Sequence, residues 1–115
     1  MLGGDRIVRV NELIQQELSE LIRREVEFAP GVLVTITSVR SSPDHEHAKV
    51  WVSVHPSSCA DDVFAILLKE IGRLQYLLNK RLVMSPLPKI AFFRDTSSDR
   101  AQHLEHLLDT INDRG

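Results

Sequence analysis

The sequence predicts an α+β fold: a two-layer sandwich in which helices cover one face of a three-stranded sheet. Three observations carry this reading. Apolar residues recur at spacings of three and four over residues 5–26 and 60–82, the period of a helix with one buried face. They alternate or crowd as β-branched runs over 32–39 and 48–54, with a short apolar run at 90–93, as half-buried strands do. All of this fits within 115 residues, a length whose single core folds as one domain, so residues 1–115 are read as one unit.

The first helix places Ile7, Val10, Ile14, Leu18, Leu21 and Ile22 on one stripe, with Arg9, Glu12, Gln16, Glu20 and Arg23 outside it. Asp5 reads as its N-cap, and Pro30-Gly31 forbids continuation. Val32–Val39 is the first strand. In the second, Ala48, Val50, Val52 and Val54 alternate with Lys49, Trp51, Ser53 and His55. Ser41-Ser42-Pro43-Asp44 carries turn chemistry between them, which predicts an antiparallel hairpin with a loop of several residues.

Residues 60–82 form the second helix, with Val63, Phe64, Leu67, Ile71, Leu74, Leu78 and Leu82 on its stripe. Gly72 sits mid-helix, where glycine costs about 1 kcal/mol relative to alanine. It therefore predicts a kink or a close packing contact. Pro86 and Pro88 end the run, Ile90–Phe93 is a third strand, and Ala101, Leu104, Leu108 and Ile111 outline a short C-terminal helix.

Composition excludes several classes. Hydrophobic residues make up 43% of the chain, a globular proportion. No stretch approaches the roughly 20 apolar residues of a membrane span. The N-terminus has no basic region followed by an apolar one, so no secretory signal is read. The lone Cys59 precludes an internal disulfide and suits a reducing compartment, so a cytoplasmic protein is expected.

Net charge is -2, yet its distribution is uneven. Residues 66–94 hold Lys69, Arg73, Lys80, Arg81, Lys89 and Arg94 against Glu70 alone, while the flanking segments are acidic. A basic segment in an acidic chain can form a local phosphate-binding face. Lys69, Arg73 and Lys80 fall near one side of the helix and Arg81 adjoins them. Lys89 and Arg94 bracket the third strand, and Arg40 and Lys49 lie on the hairpin. This set of eight is the candidate RNA-binding surface, one that would act through phosphate charge and shape with little base readout. The bland alternative is an ordinary solvated helix face.

Other chemistry is less well supplied. Asp44-His45-Glu46-His47 offers four potential metal ligands in a row, but neighbouring extended residues point in alternate directions and no supporting Cys or His pair is spaced to help. His103 and His106 form half a site at best. No metal site, cofactor or small-molecule substrate is expected. There is no Gly-x-Ser-x-Gly elbow or phosphate-cradling glycine loop. Asp61 and Asp62 beside Cys59 disfavour a thiolate, so no catalytic residue is assigned. Trp51, opposite the valine face of its strand, reads first as packed under the C-terminal helix or a loop, and second as a stacking platform for a base.

The element order, with a broken helix before the last strand, resembles the type-two KH domain. Within it the sequence resembles the ribosome-binding factor A family. The likeness rests on Arg9-Val10 and Glu17-Leu18, on Val34-Thr35-Ile36-Thr37-Ser38-Val39, and on Ala48-Lys49-Val50-Trp51-Val52-Ser53-Val54. It continues through Gly72 and Leu87-Pro88-Lys89-Ile90-Ala91-Phe92-Phe93 to Leu107-Leu108, and spans roughly residues 5–112. The resemblance implies a monomeric, non-enzymatic factor. It would bind the immature small ribosomal subunit and its RNA, assist late maturation of that RNA, matter most in the cold, and leave before translation. Two departures stand out. The five glycines, Gly3, Gly4, Gly31, Gly72 and Gly115, form no Gly-x-x-Gly loop of the usual KH kind. The family's Ala-x-Gly kink is here Glu70-Ile71-Gly72, so only the glycine carries over. The rival function is a protein–protein adaptor that uses the acidic amphipathic helices at either end.

Overall fold

Ile14, Leu18, Leu21 and Ile22 are removed from solvent, while Arg9, Glu12 and Arg23 stay exposed, so the periodic stripe is the buried face of α1. The computed structural model describes residues 2–83 and 87–97 of the chain. The elements are α1 (Leu2–Glu25), β1 (Leu33–Ser41), β2 (His47–His55), a 3-10 turn (Ser57–Cys59), α2 (Ala60–Arg81) and β3 (Lys89–Arg94). The helix expected from Ala101 to Ile111, with His103 and His106, lies outside the described residues. α1 starts at Leu2, so Asp5 lies inside its first turns and is not the N-cap expected for it. An acid serves the helix dipole anywhere in that turn, so its presence fixes the neighbourhood of the start but not the residue.

α1 ends where Pro30-Gly31 requires. Gly31 adopts φ 82°, open to glycine without strain, and the Val32 N–H closes the turn on the Ala29 carbonyl at 3.2 Å. β1 and β2 then pair antiparallel, with Val34 opposite Val54 and Ile36 opposite Val52. The register slips at Thr37, after which Val39 faces Val50 and Arg40 faces Lys49. This bulge lets Ile36 and Val39, three residues apart, both point inward. The loop is built on Asp44, whose Oδ1 accepts from the Ser42 hydroxyl at 2.5 Å and the Glu46 N–H at 3.0 Å. Those bonds, the Ser42 hydroxyl first, hold the Asp44 carboxyl below its ordinary pKa.

β3 pairs parallel to β2, giving the sheet order β1-β2-β3, with α2 as the crossover. Ala48, Val50, Val52 and Val54 face a core shared with Ile14 and Leu18 of α1 and Leu67, Leu74 and Leu78 of α2. Both helices therefore cover one face of the sheet.

α2 departs from expectation at its centre. It runs unbroken through Gly72, and a Cβ built there would meet no heavy atom within 4 Å. The predicted close approach is therefore absent, while the helix hydrogen bonding continues across the position of the predicted kink. Leu67, Leu74 and Leu78 form one continuous buried stripe across the glycine and anchor both halves to the same core. Such packing outweighs a propensity deficit of about 1 kcal/mol.

Two hydrogen bonds that periodicity could not reveal fix β3 to α2. Gln75 Nε2 donates to the Pro88 carbonyl at 3.2 Å, and the Ile90 N–H donates to Gln75 Oε1 at 2.9 Å. One side-chain amide thus satisfies both an acceptor and a donor at the start of the strand.

Candidate nucleic-acid interface

The continuous helix places Lys69, Arg73 and Lys80 within about 40° of one another around its axis, and all three are exposed. They share one face, but not one condition. The Arg73 guanidinium donates to Glu25 Oε2 at 2.6 Å and to the Glu25 carbonyl at 3.3 Å, and it meets Glu70 Oε2 at 3.1 Å. Glu70, which stands where the family pattern has alanine, therefore holds Arg73 against the end of α1. Lys80 Nζ lies 4.6 Å from the centre of the Tyr76 ring. Among the described residues Lys69 forms no ion pair.

Arg81 does not join this face. It turns to α1, 3.0 Å from Glu17 Oε2 and 3.5 Å from Glu20 Oε2, and the Glu17 hydrogen bond raises the guanidinium pKa further. Arg94 stands at the far end of β3, 3.5 Å from the Ser57 carbonyl, and Lys89 at the near end opposite His47.

The remaining cations lie on the other side of the molecule. Strand alternation sends Lys49 and Trp51 of β2 away from the helices, because Val50 and Val52 point toward them. Pairing then aligns Arg40 and Ser38 of β1, and Ala91 and Phe93 of β3, on that same face, which no helix among the described residues covers. Lys89 shares its parity. Trp51 and Phe93 stack at 5.3 Å between centroids with planes tilted by 38°, and Lys49 Nζ lies 5.4 Å from the Phe93 ring centre. Among the described residues Trp51 packs on a strand neighbour, and the C-terminal helix expected to cover it lies outside them.

Ser38, Arg40, Lys49, Trp51 and Asp95 line a recess of about 410 Å³ there. Asp95 is fixed by the Ser97 hydroxyl at 2.6 Å, the Thr37 hydroxyl at 2.6 Å and the Ser97 N–H at 2.9 Å. Led by the Ser97 hydroxyl, these bonds hold its carboxyl at a pKa of about 2. The eight cations read as one surface are therefore divided. Lys69, Arg73 and Lys80 face outward from the helical layer, Arg40, Lys49 and Lys89 from the sheet, while Arg81 and Arg94 join neither set. Sequence reasoning missed Phe93 and Asp95 as members of the second set. The signal for Phe93 was the parity of a parallel partner strand, which requires the register.

The hairpin loop does not gather ligands, since Asp44 is engaged in the turn. Among the described residues no group of three or more His, Cys, Asp and Glu could hold a metal ion. Among them, too, no helix is long and apolar enough to cross a membrane.

A family model described as ribosome-binding factor A matches residues 6–108. The chain belongs to the ribosome-binding factor A family. It is 38% identical to the ribosome-binding factor A of Cupriavidus necator, over 95% of this chain and 88% of that one. Against that of Opitutus terrae it is 36% identical, over 95% and 89%. The crystal structure of ribosome-binding factor A from Thermus thermophilus superposes with a TM-score of 0.66 at 24% identity, covering 76% of this chain and 94% of that one. A Thermus thermophilus ribosome-binding factor A homology model, fitted into a cryo-EM map of a 30S complex of that factor, gives 0.61 at 26%, covering 76% and 92%. Ribosome-binding factor A structures are KH-like, and this α+β chain with its three-stranded sheet shares that fold.

Proposed function

We propose that this ribosome-binding factor acts on the immature small ribosomal subunit, binding its RNA and assisting late maturation of the 16S ribosomal RNA. The observation that carries the reading is the family match over residues 6–108, joined to the 30S complex into which a related factor was fitted. The charge geometry supports it: two sets of exposed cations on opposite layers suit a wedge between RNA segments better than a grip on one. The mechanism is occupancy, in which the protein holds an RNA conformation until maturation is complete and is then displaced. It works in the cytoplasm as a monomer, with no cofactor and no chemical step of its own.

Of the acids an adaptor would present, three on α1 are engaged within the fold, Glu17 and Glu20 with Arg81 and Glu25 with Arg73, and those of the C-terminal end lie outside the described residues. The test is co-sedimentation with immature small subunits over a salt series. If phosphate contacts dominate, affinity falls steeply and linearly on logarithmic axes as salt rises. A flat salt dependence, or no binding, refutes the reading.

A further inference from the structure

The sheet face that no described helix covers combines features that α2 does not. An aromatic pair stands beside three cations drawn from three different strands, and a recess opens next to it. Trp51 is half-buried and Phe93 is exposed, with 37% of its surface accessible. The rings are tilted by 38° rather than closed in a flat stack.

Resting on the proposed role in RNA binding, we infer that this recess takes one unpaired nucleotide of single-stranded RNA. Its base stacks on the Trp51–Phe93 pair and its flanking phosphates lie on Arg40, Lys49 and Lys89. Charge complementarity selects this occupant. Among the described residues, Arg40, Lys49 and Lys89 form no ion pair, so a polyanion gains three cations without displacing an internal partner. An apolar protein partner would instead have to bury those charges unpaired. The strand must be single because a duplex hides the faces of its bases, whereas a splayed base offers them to an aromatic ring.

Asp95 orients the nucleotide. Its carboxylate repels phosphate, so the backbone keeps to the Arg40 and Lys49 side. The same oxygens accept from an exocyclic amino group, which cytosine, adenine and guanine carry and uracil lacks. The site therefore favours an amino-bearing base.

Trp51 is the only tryptophan in the chain, so indole emission reports on this site alone. The full-length protein is titrated at low salt with single-stranded oligocytidine, oligouridine and a duplex RNA of equal length. The expected result is quenching by the single strands, stronger for oligocytidine, and little change with duplex. Lys49→Ala keeps the reporter and should weaken single-strand affinity several-fold. By anisotropy of labelled RNA, Trp51→Phe should retain most of the affinity and Trp51→Ala should lose roughly tenfold, the size of one stacking contact. If circular dichroism shows that Trp51→Ala unfolds, Lys49→Ala and Phe93→Leu decide the matter.

Three results overturn the inference: no quenching by single strands, equal quenching by duplex, or Trp51 already shielded from acrylamide in the free protein. The last would mean that the chain covers this face itself. Failure with oligonucleotides while small subunits still co-sediment removes the stacking site and leaves the proposed function intact. Failure with both removes both.

Discussion

α2 and the sheet carry similar numbers of cations and commit them differently. In the helical layer Arg73 reaches Glu25 and Glu70, and Arg81 reaches Glu17 and Glu20, so these guanidinium groups tie α2 to α1. On the open sheet face the described residues give Arg40, Lys49 and Lys89 no carboxylate in ion-pair range, and Lys49 rests over Phe93. A basic count read along the chain does not separate a cation that holds two helices together from one available to a ligand. Among the described residues, Lys69 and Lys80 are the α2 cations free of carboxylates in the way the sheet cations are. The contrast teaches that the helix is a poorer phosphate surface than its basic segment implies, and that the hairpin is a better one than its two cations imply.

The sharpest way to break that contrast is charge reversal on each layer in turn. Replacing Lys69 and Lys80 by Glu should weaken binding to immature small subunits by roughly 3 kcal/mol at low salt and lower the salt slope by about two. Both sites are exposed and outside the ion pairs, so stability should move by about 1 kcal/mol or less. The same pair of measurements on Arg40→Glu/Lys49→Glu weighs the sheet face against it. Arg73 is unsuited to this experiment. Reversing it would set a third carboxylate against Glu25 and Glu70, and lost binding could not be told from lost structure. If the α2 reversal leaves binding unchanged while the sheet reversal removes it, the helical layer is purely structural.

A second expected effect, somewhat smaller, concerns how the layers are joined. Gln75→Leu removes both hydrogen bonds to the start of β3 and leaves the Ile90 N–H, in a buried residue, without its acceptor. An unsatisfied buried donor costs about 1–3 kcal/mol, so chemical denaturation should show a loss of about 2 kcal/mol. Since β3 carries Phe93 and Lys89, the same variant should weaken single-strand binding more than its stability loss alone explains. Equal binding by the folded fraction would show that the sheet face is insensitive to this anchor.

Gly72 supplies a third, smaller test. Its helix is continuous and the space for a Cβ is open. Gly72→Ala should therefore stabilise the protein by about 0.5–1 kcal/mol, with a rise in Tm of a few degrees. A fall in stability would mean that the helix does bend there in solution. Loss of subunit binding with a gain in stability would mean that flexibility at this point serves the complex.

Much of the fold was legible because each element carries a one-sided apolar pattern. The stripes of α1 and α2 and the alternation in β2 coincide with the buried residues, and Pro30-Gly31 stops α1 where expected. What escaped is what depends on two elements at once. The bulge at Thr37, the parallel register that sets Phe93 beside Trp51, and the partners of Arg73 and Arg81 are tertiary facts with no local signal. Gly72 shows a related point: glycine lowers helix propensity locally, but the leucines on either side of it keep the helix continuous through packing. The charge distribution was least legible, since linear charge density groups cations that folding sets on different faces.

The smallest effect expected belongs to Asp95, and its sign follows from its partners. The hydroxyls of Ser97 and Thr37 and the Ser97 N–H stabilise the ionised carboxylate in the folded chain, at a pKa of about 2 against an ordinary 3.8. A carboxyl whose folded pKa is depressed contributes stability that is present above the unfolded value and is lost as pH falls through the folded one. This contribution is therefore complete above about pH 5, declines from about pH 4, and is gone near pH 2. Solvent screening at this partly exposed group keeps it small. Asp95→Asn should leave stability near pH 7 slightly reduced and flatten the acid limb of a Tm-against-pH curve between pH 5 and pH 2, roughly the window the linkage relation sets. The same variant should narrow the preference for oligocytidine over oligouridine, because an amide oxygen accepts a hydrogen bond less strongly than a carboxylate. A steeper acid limb would show that Asp95 is held chiefly by burial and not by its hydroxyl partners. An unchanged base preference would confine the residue to bracing β3 against Thr37, and leave stacking and phosphate charge as the whole of what the open face offers.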